Sequence, residues 1–252
     1  MFQHLISIIT PSFNSKSHII ETYRSICSQT YTNWEWLVTD DFSTDGSYEE
    51  ICNLANDDLR VKVFRNPENS GAAVSRNKSL SNVSGRFIAF LDSDDLWDAN
   101  KLSIQLNYMV TNDVAFSFTA FEMINLHGVS LNKKVDLQQF KPLNYKDMLR
   151  KKATLGCSTV MLDNSLVGPV QMPSIRTGQD YGLWLKILKK GLSAYPIPQV
   201  LTQYRILPHS ISRNKFRKAK RQWMIYREIE GLNIYLSSIC FCFYAWRAVF
   251  RK

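Results

Sequence analysis

Along its first hundred residues the chain alternates short apolar runs with longer stretches in which apolar residues return every three or four positions. Leu5–Thr10 (LISIIT), Trp34–Thr39 (WEWLVT), Val61–Arg65 and Phe87–Leu91 have the length and the β-branched or aromatic content of strands. LISIIT is apolar almost throughout, as a strand covered on both faces must be. Between these runs Ser15–Gln29 carries Ile19, Ile20, Tyr23 and Ile26 on one side, and residues 47–57 and Ala72–Asn82 also have helical spacing. The alternation predicts an α/β fold, a mostly parallel sheet flanked by helices.

Past Asp95 the rhythm changes. The pattern predicts a helix over 99–111, a strand over 113–121, a hairpin through Leu126–Leu131, and a helix over 144–151. A strand over 157–162, a helix over 180–190, and short strands at 193–197 and 200–205 follow. No internal repeat and no long flexible linker divides residues 1–212, which read as one domain. The tail, 213–252, has a different character. Seven cations and no acid lie between Arg213 and Arg227, and Gly231–Trp246 then run uncharged for 16 residues. Ile229, Leu232, Leu236, Ile239, Phe243, Trp246 and Phe250 recur at helical spacing. A bilayer span needs about 20 apolar residues, so this tail predicts a basic, amphipathic helix lying on an anionic membrane face. A helix packed on the domain, with its basic face in solvent, is the plainer alternative.

Composition sharpens this reading. The 252 residues are 45% hydrophobic and 21% charged, which excludes a disordered or low-complexity chain. The net charge of +9 is concentrated at one end: residues 213–252 hold ten of the 31 Lys and Arg but only two of the 22 Asp and Glu. The body has no basic stripe with interleaved aromatics, so no nucleic-acid partner is expected. Five scattered cysteines without a C-x-x-C pair argue against a disulfide framework or zinc ribbon and for a reducing cytosol. Met1–His4 lacks a basic leader segment, which predicts no signal peptide.

Ligands of open parallel sheets bind beyond the carboxyl ends of the strands. Three segments fall there: Thr10–Asn14, the acidic turn Asp40–Ser47, and Asp92-Ser93-Asp94-Asp95. The last places three carboxylates in four residues directly after a buried strand. Their mutual repulsion is relieved by a hard divalent cation, which prefers oxygen ligands and takes one or two carboxylates while leaving positions for substrate phosphates. A solvated turn capping the next helix is the alternative. A carboxylate at Asp40 or Asp41 can accept a hydrogen bond from the N–H of a base, and Arg76 lies near a helix start that favours anions. No G-x-S-x-G and no Cys–His pairing suggests a covalent nucleophile.

SIITPSFN, VTDDFSTDGS, NSGAAVSRN and FLDSDDLW, in this order and spacing, resemble the inverting family-2 glycosyltransferases of the GT-A (Rossmann-like) fold. The likeness is strong over residues 4–110 and looser at GQDYGLWLKI (178–187) and YRILPHSIS (204–212). It implies that Pro11 and Asn14 line a nucleotide pocket, and that Asp41 binds the base with Arg76 beside it. Asp92 and Ser93 would face ribose and phosphates, Asp94 would ligate Mn²⁺ rather than Mg²⁺, and Asp180 would be the general base. Many members have Glu-Asp where this chain has Gln179-Asp180. His209 and Arg213 become candidate diphosphate contacts.

The resemblance further implies a UDP-sugar donor, Gal or Glc, and in-line displacement giving a β-glycoside. Joined to the basic tail it implies a polyprenyl-diphosphate-linked acceptor such as GlcNAc-diphosphate-undecaprenol, on the cytoplasmic face of a bacterial membrane, in O-antigen or capsule synthesis. A non-catalytic sugar-nucleotide or lipid binder on the same fold is the rival reading. A nucleotidyltransferase would need a glycine-rich, basic loop after the first strand, and Pro11–Ser15 is neither.

Overall fold

The computed structural model describes residues 3–207 and 215–250, without the side chains of Lys215, Arg217 and Val249. The candidate phosphate contacts His209 and Arg213 lie outside the described residues. The apolar runs of the first half form parallel strands β1 (Ile6–Ser12), β2 (Trp34–Asp40), β3 (Val61–Arg65) and β4 (Phe87–Phe90). Helices α1 (Ile19–Cys27), α2 (Ser47–Asp57) and α3 (Ala72–Leu80) connect them. The second half adds β5 (Leu96–Trp97), α4 (Lys101–Thr111), β6 (Phe116–Ile124), β7 (Ser130–Val135), α5 (Tyr145–Leu149), β8 (Val160–Asp163) and α6 (Asn164–Val167). Then come α7 (Gln179–Leu188), β9 (Tyr195–Arg205), α8 (Lys215–Met224), a π-helical turn (Ile225–Ile229) and α9 (Ile234–Phe250).

All nine strands join one sheet in the order β3-β2-β1-β4-β8-β6-β9-β5, with β7 hydrogen-bonded to the far part of β6. β8 runs antiparallel to both its neighbours, whereas β6 and β9 run parallel to each other. All seven residues of β2 are buried, as a strand covered on both faces requires. On one face α1, α2 and α4 close over Trp34, Trp36 and Phe87. On the other, α3, α5 and α7 close over Phe90 and Phe116, and the tail joins them through Ile225, Tyr226 and Cys240.

Several boundaries differ from the sequence pattern for physical reasons. The first helix begins at Ile19, not Ser15, because residues 15–18 form a turn whose Ser15 N–H is held by Ser47 Oγ at 2.8 Å. The strand expected over 157–162 starts with a 3-10 turn, Cys157–Thr159, and pairs only from Val160. The two short strands at 193–205 are one, β9, whose register slips between Ile197 and Val200, where Pro198 has no N–H to give the ladder. The apolar run from Ile229 is not one helix. Gly231 takes φ +64, and Asn233 Oδ1 accepts the Leu236 N–H at 2.9 Å to start α9 afresh.

Within α9, Ser237 and Cys240 are buried against the body while Tyr235, Leu236, Phe243, Trp246 and Phe250 remain exposed. Among the described residues no helix is long and apolar enough to cross a membrane.

Trp184 is fully buried, with ring centroids 5.4 Å from Phe90 and 5.3 Å from Phe116. It ties α7 to the sheet, and its Nε1 has no hydrogen-bond partner. Trp184→Ala should cost about 3–5 kcal/mol in urea unfolding, as large-to-small changes in cores do. Trp184→Phe, which removes the unpaired N–H and keeps an aromatic ring, should cost much less.

Candidate active site

The parallel strands β1, β2 and β4 deliver their carboxyl ends to one edge, and hydrogen bonds between their loops hold that edge together. Asn14, at φ +48, donates its N–H to Ser43 Oγ at 2.9 Å and accepts from the Thr44 N–H through Oδ1 at 3.0 Å. The Asp41 N–H donates to Ser12 O at 2.7 Å. Pro11 is half-buried within β1, opposite Thr39.

Asp41 is buried, and its carboxylate organises the next loop. Oδ1 accepts from Asn66 Nδ2 at 2.8 Å and the Ser70 N–H at 2.9 Å, and Oδ2 accepts from the Gly71 N–H at 2.7 Å. An ionised carboxylate has about four lone-pair sites, so roughly one remains for a ligand N–H. Gly71, at φ +89, is the residue before α3, so Asp41 also sets the start of the helix that carries Arg76. Asp40, read from sequence as a turn residue, is fully buried. Its Oδ2 accepts from the Ser43 N–H at 3.0 Å and lies 3.4 Å from Arg65 Nε, while Oδ1 has no partner.

Arg76 is paired with Asp92. Its Nη2 donates to Asp92 Oδ1 at 2.5 Å, and Nε and Nη1 are buried without partners. Burial opposes the guanidinium charge, but the Asp92 carboxylate and, further off, Asp180 more than offset it, so the Arg76 pKa stands above its ordinary value. Asp180 lies in the first turn of α7, makes no hydrogen bond among the described residues, and so meets the acidic edge through Arg76. Gln179 beside it is buried with Oε1 unpaired.

The Asp92–Asp95 loop is fastened from three directions. Ser158 Oγ accepts the Asp92 N–H at 3.1 Å and donates to Asp95 Oδ2 at 2.6 Å. Thr22 Oγ1 donates to the carbonyls of Ser93 and Asp95, both at 3.0 Å. Arg205 donates its N–H to Asp95 Oδ1 at 2.9 Å and its Nε to Asp94 O at 2.8 Å. Asp95 is thereby a buried structural carboxyl, its pKa pushed well up by burial and by Asp94 and Asp92. Ser93 and Asp94 are half-buried.

Asp94 is the carboxyl without a partner from another residue among the described residues. Burial, then the neighbouring Asp92 carboxylate, push its pKa from 3.8 up to about 6. A hard dication between Asp92 and Asp94 would remove that cost. Among the described residues no group of three or more His, Cys, Asp or Glu can hold a metal by itself. The donor set therefore fits a cation shared with substrate phosphates, which is how Mg²⁺-type ions are ordinarily bound.

Two participants went unmarked as site residues in the sequence. Arg205, buried, anchors the acidic loop and also reaches Leu126 O at 2.7 Å and Glu21 Oε2 at 2.7 Å. Tyr204 has its phenol pKa raised by burial and by the charges of Asp95, Asp92, Asp94 and Asp180. Their only signal was the loose YRILPHS likeness, and it takes the parallel pairing of β9 with β6 to bring them here.

Residues 7–164 match the family model of Glycosyl transferase family 2, and the chain belongs to that family. It is 43% identical over 98% of its length to TuaG of Bacillus subtilis (strain 168), named for teichuronic acid biosynthesis, and covers 97% of that protein. It is 42% identical over 88% of its length to Escherichia coli WfgD, a UDP-Glc:alpha-D-GlcNAc-diphosphoundecaprenol beta-1,3-glucosyltransferase, of which it covers 85%. S. aureus TarS in complex with UDP-GlcNAc superposes with a TM-score of 0.75 at 18% identity, over 97% of this chain and 73% of that one. The chain is thus a glycosyltransferase, and the α/β fold expected from its strand–helix rhythm is the one observed.

The folded-state pKa of Asp94 stands above its ordinary value, so its ionisation destabilises the fold by a cost that is absent below pH 3.8 and fully present above about pH 6. In protein stripped of divalent ions, Asp94→Asn should therefore change the melting temperature little near pH 4. Its stabilisation should grow through pH 6, to on the order of 1–3 kcal/mol.

Proposed function

We propose that this enzyme transfers glucose from UDP-Glc to a GlcNAc-diphosphate-lipid acceptor with inversion, forming a β-linked disaccharide in the synthesis of a bacterial surface polysaccharide. The observation that carries the reading is the free Asp180 carboxylate at the start of α7, held in the electrostatic reach of the same Arg76 that pairs with Asp92. Glucose is put ahead of galactose because WfgD, at 42% identity, is named for that donor and that acceptor. A non-catalytic binder has no use for an unpaired carboxylate at this place.

In this reading Asp180 accepts the proton of the acceptor hydroxyl as it attacks the anomeric carbon. Pro11, Asn14 and Asp41 line the base pocket, and Asp92 and Ser93 face the ribose and phosphates. Arg76, kept cationic by Asp92, stabilises charge building on the leaving UDP. Asp94, with Asp92, holds the divalent cation, which supplies further neutralisation of the diphosphate when bound. Mn²⁺ is put ahead of Mg²⁺, which demands near-ideal octahedral geometry, because one Asp92 oxygen is already tied to Arg76.

Residues 213–252 act as a membrane-associating tail on a 1–212 catalytic domain, docking the enzyme peripherally on the anionic inner face of the cytoplasmic membrane. Support comes from the exposed Leu236, Phe243, Trp246 and Phe250 along α9 beside the cations of α8.

A panel of UDP-sugars offered with a synthetic GlcNAc-diphosphate-lipid, with Mn²⁺, Mg²⁺ or chelator, tests the reaction by product mass. Metal-dependent transfer from UDP-Glc is expected; transfer from another donor alone would overturn the sugar assignment. Asp180→Ala should lower kcat at least about 100-fold, the usual scale for losing a general base, while UDP binding by calorimetry stays within a few-fold. Turnover close to wild type would remove Asp180 from the mechanism.

A further inference from the structure

Beside the acidic edge the fold gathers the opposite charge from segments far apart in sequence. Lys218 and Arg221 are three residues apart on α8 and so share a face. Lys133, on the exposed strand β7, comes close enough for its charge to bear on Lys218. None of the three is ion-paired among the described residues. Arg221 Nε is buried and without a hydrogen bond. Burial, then Arg221 and Lys133, hold the Lys218 ammonium below its ordinary pKa, which is the cost of crowding like charges.

The cluster is seated on the helix of the proposed base. A Cβ at Gly178 would meet Ile225 Cδ1 at 3.1 Å, Arg221 Cδ at 3.2 Å and Arg221 Nε at 3.3 Å. Gly178, at φ +78, precedes α7, and Asp180 lies in the first turn. The absence of a side chain at Gly178 is what lets α8 press Arg221 against the end of α7 that carries Asp180.

We propose that Lys133, Lys218 and Arg221 bind the diphosphate of the lipid-linked acceptor. The inference rests on the reaction proposed above. In a GlcNAc-diphosphate-lipid, one pyranose ring separates the attacking hydroxyl from the anomeric phosphate. A base that receives the proton of that hydroxyl therefore fixes the phosphate within one sugar's width of itself. Arg221, packed on the residue two before Asp180, is placed for this. The donor diphosphate has its own partners in Arg76 and the cation at Asp94. From α8 the chain passes through the π-helical turn into α9, whose exposed Leu236, Phe243 and Trp246 continue as an apolar surface for the lipid. Phosphate oxygens accept from lysine and, in pairs, from arginine.

The test compares the full chain with K133Q/K218Q/R221Q, using two water-soluble acceptors without membranes: GlcNAc-diphosphate on a short alkyl chain, and the same alkyl GlcNAc without the diphosphate. The ratio of the KM for the charged acceptor to the KM for the neutral one should rise roughly ten-fold or more, with the KM for UDP-Glc within two-fold. In chelated protein, calorimetry with inorganic pyrophosphate should show the same loss, which reads the site without relying on turnover. The single variant K133Q, on an exposed strand, should show a smaller loss in both measurements without disturbing the fold. An unchanged KM ratio with unchanged pyrophosphate binding overturns the proposal; so does a defect that appears only when anionic vesicles are added in a further arm of the same assay, which would assign these cations to the membrane. Wild-type protein that binds UDP-Glc and transfers to neither acceptor overturns the reaction reading instead. Pyrophosphate binding that is equal in wild type and variant then removes the phosphate site as well.

Discussion

Three carboxylates in four residues at the end of a buried strand are a standing electrostatic cost, and much of the surrounding structure answers it. Asp92 is paired to Arg76, Asp95 is hydrogen-bonded to Ser158 and to the Arg205 N–H, and the loop carbonyls are taken by Thr22 and the Arg205 side chain. These partners come from α1, α3, the 3-10 turn before β8, and the end of β9. Of the three, Asp94 is the carboxylate that takes no hydrogen bond or ion pair from another residue among the described residues, and burial and Asp92 raise its pKa. In the reading proposed above, that unpartnered carboxylate takes the cation that arrives with a phosphate-bearing substrate.

The irregular second half of the fold supplies what a nucleotide-type sheet lacks. β9 inserts beside β6 and carries Tyr204 and Arg205 to the acidic loop. α7 is pinned to the sheet through Trp184, and the charge of Asp180 in its first turn bears on Arg76. The tail is joined to this arrangement and not merely appended: Ile225 and Tyr226 are in the core that holds α7, and Tyr226 Oη donates to Leu149 O at 2.5 Å. Anything that engages α8 or α9 therefore bears on the helix of Asp180 through packed side chains.

The strands of the first half and the polar turns after them were legible because a buried parallel strand leaves a continuous apolar run, and ligand loops interrupt it with charge. SIITPSFN and FLDSDDLW were readable for that reason, and Pro11, Asn14 and Asp94 fall at the edge they predict. The partners of the carboxylates were not legible. Asp41 and Asp40 are adjacent and chemically identical, yet one organises the 66–71 loop while the other keeps an unpaired oxygen. The apolar spacing of the tail marked its exposed stripe but could not show that Gly231 and Asn233 divide it into two helices.

Local chemistry thus settled the alternation of elements, the polar turns that follow the strands, the family, and the concentration of cations at one end of the chain. Those properties depend on residues that are neighbours in sequence. The tertiary structure alone decided which charges meet: Arg76 with Asp92, Arg205 with the acidic loop 110 residues before it, and Lys133 with Lys218. Charge interactions depend on distance and burial, and both are fixed only when the sheet has brought the distant segments together.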